Sequence, residues 1–103
     1  MLWRGIYQLQ TGDLDGAIVT LSAARELRLE VPDTHPILLA RALSLLAQAL
    51  IAAERDRPRA ATYAAQAAEI FRAEGDYGAV ELAELDAWRR ETGLLAARGG
   101  PGR

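Results

Sequence analysis

Apolar side chains recur at spacings of three and four residues along most of the chain. In segments 14–30 and 57–73 they form one stripe, and charged or polar residues occupy most of the remaining positions. Such a stripe predicts an amphipathic helix that lies on the surface with one face against a core. The first stripe comprises Leu14, Ala17, Ile18, Leu21, Ala24 and Leu27, and the second comprises Ala60, Tyr63, Ala64, Ala67, Ile70 and Phe71. We therefore expect two surface helices.

Segment 35–54 has a different pattern. Apolar residues cover nearly all of its circumference, and Arg41, Ser44 and Gln48 form a narrow polar stripe. A helix that is apolar on most sides is buried between its neighbours. We expect this segment to be the central helix, with its polar stripe on the one side that is left open.

Helix stop and start signals divide the chain into five segments. Glycine, proline or both accompany aspartate at 12–13, 32–36, 56–58 and 75–76. Glycine ends helices in the left-handed conformation, proline cannot continue a preceding helix, and aspartate caps the next first turn. The predicted helices span residues 1–11, 14–30, 35–54, 57–73 and 77–96. Because alanine and leucine dominate and β-branched residues are few, the expected fold class is all-α.

The helix boundaries repeat along the chain. The boundary at 12–13 has a counterpart 43 residues later at 55–56, and the boundary at 32–33 has one at 75–76, also 43 residues later. Two independent boundaries that share one period indicate a repeated pair of helices.

Small residues surround the first of these turns. Gly5, Ala17 and Ala24 flank the Gly-Asp turn at 12–13, and this pattern resembles the helix-turn-helix unit of the tetratricopeptide repeat (TPR). Most such repeats span ~34 residues. The longer period here is similar to the repeats of kinesin light chains and of bacterial regulatory proteins, including large actinobacterial transcription regulators. The resemblance implies antiparallel helix pairs stacked as a short right-handed α-solenoid over residues 1–97.

Two features depart from the TPR pattern. The 43-residue shift superposes Gly5 on Gln48, and only a slip of one residue brings Ala47 to that place. The aromatic residue that is usual late in the first helix is replaced by Gln8 and Ile51. The register of the third helix therefore stays open. A closed bundle of four or five helices, in which the first and fifth helices touch, is the alternative architecture.

In the architecture that the resemblance implies, helices one, three and five line a concave groove. Such a groove binds a partner peptide or helix without catalysis. The predicted groove residues are Arg41, Ser44, Gln48, Glu84, Trp88 and Glu91. Trp3 and Trp88 suit either a core anchor or a binding hot spot. We expect a protein-protein interaction scaffold that belongs to a larger regulatory protein or self-associates; a dimerisation bundle and a small-ligand sensory domain are the alternatives.

No catalytic residue, metal site or cofactor is expected. His35 is the only histidine and the chain has no cysteine, so the usual nucleophile–base pairs and thiolate metal sites are not available. A histidine before proline at a helix start is most simply a turn or capping residue. Glu81, Glu84 and Glu91 are spaced as a solvated helix face.

Charge and composition argue against nucleic-acid and membrane partners. The net charge is −2, and Arg55, Arg57 and Arg59 are expected to form a solvated loop edge rather than a basic patch. The apolar run 37–50 is interrupted by polar residues and shorter than the ~20 residues of a membrane span. Absent cysteine and a start unlike a signal peptide favour a cytoplasmic protein. The use of arginine without lysine or asparagine is typical of a GC-rich bacterial genome. Residues 98–103 are expected to be disordered.

Overall fold

The computed structural model describes residues 2–30 and 35–94, without the side chains of Leu2 and Trp3. Within those ranges the chain forms five α-helices and one 3₁₀ turn, and no strand, so the all-α prediction is confirmed. The elements are α1 (Leu2–Thr11), α2 (Leu14–Glu30), α3 (Pro36–Ala52), α4 (Arg57–Ala73), the 3₁₀ turn (Gly75–Gly78) and α5 (Ala79–Thr92). The predicted disordered tail at 98–103 lies outside the described residues.

The helix boundaries differ from the predicted ones mainly in the third and fifth helices. α3 ends at Ala52 rather than at residue 54, because Glu54 has a φ of 56°, which a right-handed helix does not contain. α5 begins two residues later than predicted because the chain first makes the tighter 3₁₀ turn. It ends before Gly93, whose left-handed φ of 82° closes the helix.

The 43-residue period is present in the helices themselves. α2 and α4 begin and end 43 residues apart, and α3 and α5 also begin 43 residues apart. The loop at 53–56 is two residues longer than the turn at 12–13, so the first and third helices differ in register. Gly5 and Ala47 are both buried, whereas Gln48 is half-buried. Burial therefore favours the slip of one residue that pairs Ala47 with Gly5.

Side chains cap the starts of three helices. Asp13 Oδ1 accepts a hydrogen bond from Gly16 N at 3.1 Å, and Asp56 Oδ1 accepts one from Arg59 N at 3.4 Å. His35 Nδ1 accepts from Ile37 N at 3.2 Å, so the histidine is the capping residue of α3 as expected. Such caps stabilise a helix by ~1 kcal/mol each. They fix where α2, α3 and α4 begin.

Each helix packs on the next helix in the chain, and α1 also contacts α3. α3 buries more residues than any other described helix, which agrees with its predicted central place. The largest fully buried side chains are Leu21, Leu46 and Phe71, from α2, α3 and α4. Of the 17 buried apolar residues that are described, ten are alanines, so the helices approach one another closely.

Glycine permits two close contacts between elements. A Cβ on Gly5 would lie 2.5 Å from Leu21 Cδ2, so α1 and α2 meet only because that position has no side chain. A Cβ on Gly78 would overlap the backbone of Phe71. The 3₁₀ turn therefore lies directly on α4.

Candidate binding cleft

A cleft of about 270 Å³ opens between α1, α3 and α5. It is lined by Ile6, Arg41, Ser44, Leu45, Gln48, Phe71, Glu81, Glu84 and Leu85. α3 forms the floor because it supplies four of the nine lining residues. α1 and the first turns of α5 form the walls, and Phe71 of α4 also lines the cleft. Side chains that are far apart in sequence thus meet in one depression.

An ion pair connects the floor of the cleft to the α5 wall. Arg41 Nε lies 2.6 Å from Glu81 Oε2, and Arg41 Nη2 lies 3.4 Å from Glu81 Oε1. The hydrogen bond to Glu81 raises the pKa of Arg41 above its ordinary value, as does the negative charge of the carboxylate. The two side chains are 46% and 29% exposed, so the pair stabilises the fold by no more than ~1 kcal/mol. Its main effect is to hold the arginine in a fixed position.

The remainder of the floor is neutral and polar. Gln48 Nε2 donates to Ser44 Oγ at 3.4 Å, and both side chains are half-buried. A hydroxyl and an amide each donate and accept hydrogen bonds. This weak bond between them leaves most of their capacity for a bound molecule. Leu45 and Leu85 add apolar surface on either side.

Glu84 gives the cleft a negative edge. Its carboxylate is exposed and takes part in no ion pair among the described residues, whereas the neighbouring Glu81 is neutralised by Arg41. The uncompensated charge of the cleft is therefore negative, and it would attract a basic group.

Four of the six predicted groove residues meet in this cleft, and two do not. Arg41, Ser44, Gln48 and Glu84 line it. Trp88 is half-buried and packs against the hydrophobic core instead. Glu91 is exposed near the end of α5 and does not line the cleft.

Several lining residues were not predicted. The sequence pattern predicts that Glu81 lies on a solvated helix face. Its ion pair with Arg41 leaves no signal in the sequence, because the two residues are 40 positions apart. Ile6 and Leu85 were not selected because an apolar residue on an amphipathic helix is expected in the core. The spacing of Glu81, Glu84 and Leu85 over one helical turn is the one sequence signal of a shared wall.

Comparison of the chain with protein-family models, with curated proteins and with solved structures finds no match in any of the three. Among the described residues no group of histidine, aspartate and glutamate side chains is placed to hold a metal ion. In the same ranges no helix combines the length and apolar character needed to cross a bilayer.

Proposed function

We propose that the chain is a TPR-like protein-binding scaffold, and that the cleft between α1, α3 and α5 receives a segment of a partner protein. The observation that carries the proposal is the convergence of Arg41, Ser44, Gln48 and Glu84 in one cleft. The sequence pattern alone predicts all four as groove residues: Arg41, Ser44 and Gln48 from the polar stripe of α3, and Glu84 from the 43-residue shift. The sequential packing of the helices, together with the contact between α1 and α3, supports a stacked array.

The chemistry of the cleft suits a peptide with a basic residue beside an apolar one. Glu84 offers a carboxylate without an ion-pair partner in the described chain, and Ile6, Leu45 and Leu85 offer apolar walls. Ser44 and Gln48 can bond to the backbone of an extended segment, whose amide and carbonyl groups need partners.

The open shape of the cleft favours a peptide over an enclosed small-molecule ligand. Pockets for small molecules usually enclose ~300 to 1,000 Å³ and bury most of the ligand. The cleft here holds about 270 Å³, near the lower limit of that range, and is open to solvent rather than enclosed. A few side chains of a longer partner fit this space better than an enclosed metabolite does.

Self-association is a second candidate, supported by a different observation. Val19 on α2 and Val80 on α5 are each 70% exposed, and Tyr7 on α1 is 66% exposed. Burial of an exposed apolar side chain against a second copy or another protein is favourable because it removes apolar area from water. A scaffold of this kind would present its cleft within an oligomer or a longer array.

The test of the proposal is a charge reversal in the cleft. A partner recovered by affinity capture is titrated by calorimetry against the parent protein and against Glu84→Lys, with Glu69→Lys on the exposed face of α4 as the matched control. We expect Glu84→Lys to weaken binding by up to about thirtyfold, because an attraction worth up to ~1 kcal/mol becomes a repulsion of similar size, a change of up to ~2 kcal/mol.

Two further variants complete this test. Arg41→Glu should also weaken binding, since it places two carboxylates together and opens the α3–α5 wall. Thr62→Ala, on the exposed face of α4, should bind like the parent. Equal losses in Glu84→Lys and Glu69→Lys, or no loss in either, would reject the cleft as the binding site.

A further inference from the structure

A second cleft adjoins the first at the start of α3. It has a volume of about 340 Å³ and is lined by His35, Ile37, Leu38, Arg41 and Tyr77. Arg41 lines both clefts, so the two depressions meet at the Arg41–Glu81 ion pair. The surface between α3 and α5 thus has a polar, acidic part on one side of the pair and an aromatic, apolar part on the other.

Tyr77 is an aromatic residue that is 78% exposed. Its ring meets the ring of His35 edge to face, with centroids 6.1 Å apart and planes at 67°. The His35 ring is itself fixed, because its Nδ1 caps α3. The adjacent Gly78 lies against the α4 backbone, so the 3₁₀ turn has no room to shift towards α4. A bound side chain would find the tyrosine already in place, which lowers the entropic cost of binding.

We propose that Tyr77, Ile37 and Leu38 form a second subsite, which binds an apolar or aromatic side chain. This side chain belongs to the same peptide whose basic side chain lies beside Glu84. This inference rests on the proposed function of the first cleft. Exposed tyrosine rings are frequent hot spots in protein interfaces because they combine apolar area with few rotatable bonds.

The distance between the subsites sets the spacing in the peptide. Tyr77 and Glu84 are seven residues apart along a nearly continuous helical path, which corresponds to roughly 11 Å. An extended peptide in the polyproline II conformation advances about 3.1 Å per residue and turns once every three residues. Two side chains three residues apart then lie on the same face and about 9 Å apart, close to the separation of the subsites. An extended peptide is preferred to a helix because Ser44, Gln48 and Arg41 offer partners to backbone groups that a helix would satisfy internally.

The experiment uses synthetic decapeptides with acetylated and amidated ends in a serine–glycine background. One peptide carries arginine and phenylalanine three positions apart, a second carries them adjacent, and two others carry only the arginine or only the phenylalanine. Each is titrated into the labelled parent protein and followed by amide chemical shifts in two-dimensional NMR. Tyr77→Ala, Tyr77→Phe and Thr62→Ala are then compared with the parent; Thr62 is exposed on α4 and lines neither cleft, so it is the matched control.

We expect the peptide with three-residue spacing to bind about tenfold more tightly than the arginine-only peptide, as a hot-spot contact allows. Tyr77→Ala should remove that difference and leave the arginine-only peptide unaffected, whereas Tyr77→Phe and Thr62→Ala should behave like the parent. The comparison of peptides on the parent protein tests the inference even if a variant fails to fold.

Two results would overturn the second subsite. If phenylalanine adds no affinity, while Glu84→Gln still weakens the arginine peptides, the first cleft stands as proposed and the Tyr77 subsite does not exist. If no peptide of the set binds the parent protein at millimolar concentration, the two-subsite peptide is wrong, and the calorimetric test with the natural partner decides the proposed function separately.

Discussion

Replacement of Leu46 tests whether α3 is the centre of the core. Leu46 is 1% exposed and belongs to the main core cluster. Leu46→Ala removes three carbon atoms from this site, and a buried leucine truncated in this way costs ~2 to 5 kcal/mol. Many of the surrounding side chains are alanines, which have no atoms to move into the cavity. We therefore expect a loss of about 4 kcal/mol in the free energy of unfolding, in the upper part of that range.

Leu46→Asp is the more severe form of the same test. The carboxylate would lie in an apolar site without a partner, at a cost of several kcal/mol beyond the lost packing. A chain of this length has a net stability of ~5 to 15 kcal/mol, so this variant should have no cooperative transition in urea followed by circular dichroism. Thr62→Asp, at an exposed position on α4, is the control and should unfold like the parent. A Leu46→Asp variant that melts with the parent would refute the central position of α3.

Other predictions address the remaining parts of the structure. The far-ultraviolet circular dichroism spectrum should be largely helical, and a substantial sheet signal would contradict the all-α fold. Trp88→Ala should lower the free energy of unfolding by ~2 to 3 kcal/mol, since the ring packs on the core; an unchanged melt with weaker partner binding would instead make it a groove residue. His35→Ala should lower the free energy of unfolding by ~1 kcal/mol through loss of the α3 cap. His35→Asn should recover much of this stability, as measured by thermal denaturation. Light scattering at high micromolar concentration should show self-association, and a stable monomer would count against the exposed valines as an interface.

The floor of the cleft was predictable from the sequence because it lies on α3. In a helix that is apolar on nearly every side, a polar residue has only one place to face, and that place is the open side. Arg41, Ser44 and Gln48 were found by this reasoning alone, and all three line the cleft. The all-α class followed from helix propensity, and most helix boundaries followed from the Gly, Pro and Asp residues that end or cap helices.

The α5 wall was only partly predictable because a repeat shift finds equivalent positions rather than facing ones. The shift from α3 led to Glu84, Trp88 and Glu91, whereas α5 presents Glu81, Glu84 and Leu85 to the cleft. Two helices that form a cleft meet through different faces, so the wall begins about one turn earlier than the shifted floor. The orientation of one helix against another depends on side-chain packing, and a single sequence does not specify it.

The sequence alone does not predict the subsite at Tyr77, for a related reason. The sequence pattern predicts Tyr77 as the start of the fifth helix, where the direction of its side chain would follow the helical period. The 3₁₀ turn changes that direction and brings the ring against His35, more than 40 positions earlier in the chain. Contacts of this kind depend on tertiary structure.

The alanine-rich interior has a consequence for the substitutions that the protein tolerates. In most domains the harmful core changes are truncations of large side chains. Here ten of the 17 described buried apolar positions are alanines, whose side chain is a single methyl group. Their vulnerability is to enlargement: Ala64→Leu or Ala47→Ile would push two helix backbones apart and cost ~1 to 3 kcal/mol or more. A complete mutational scan should therefore show stripes of intolerance to every larger residue along α3 and α4. Random variation in such a protein is constrained by volume more than by polarity.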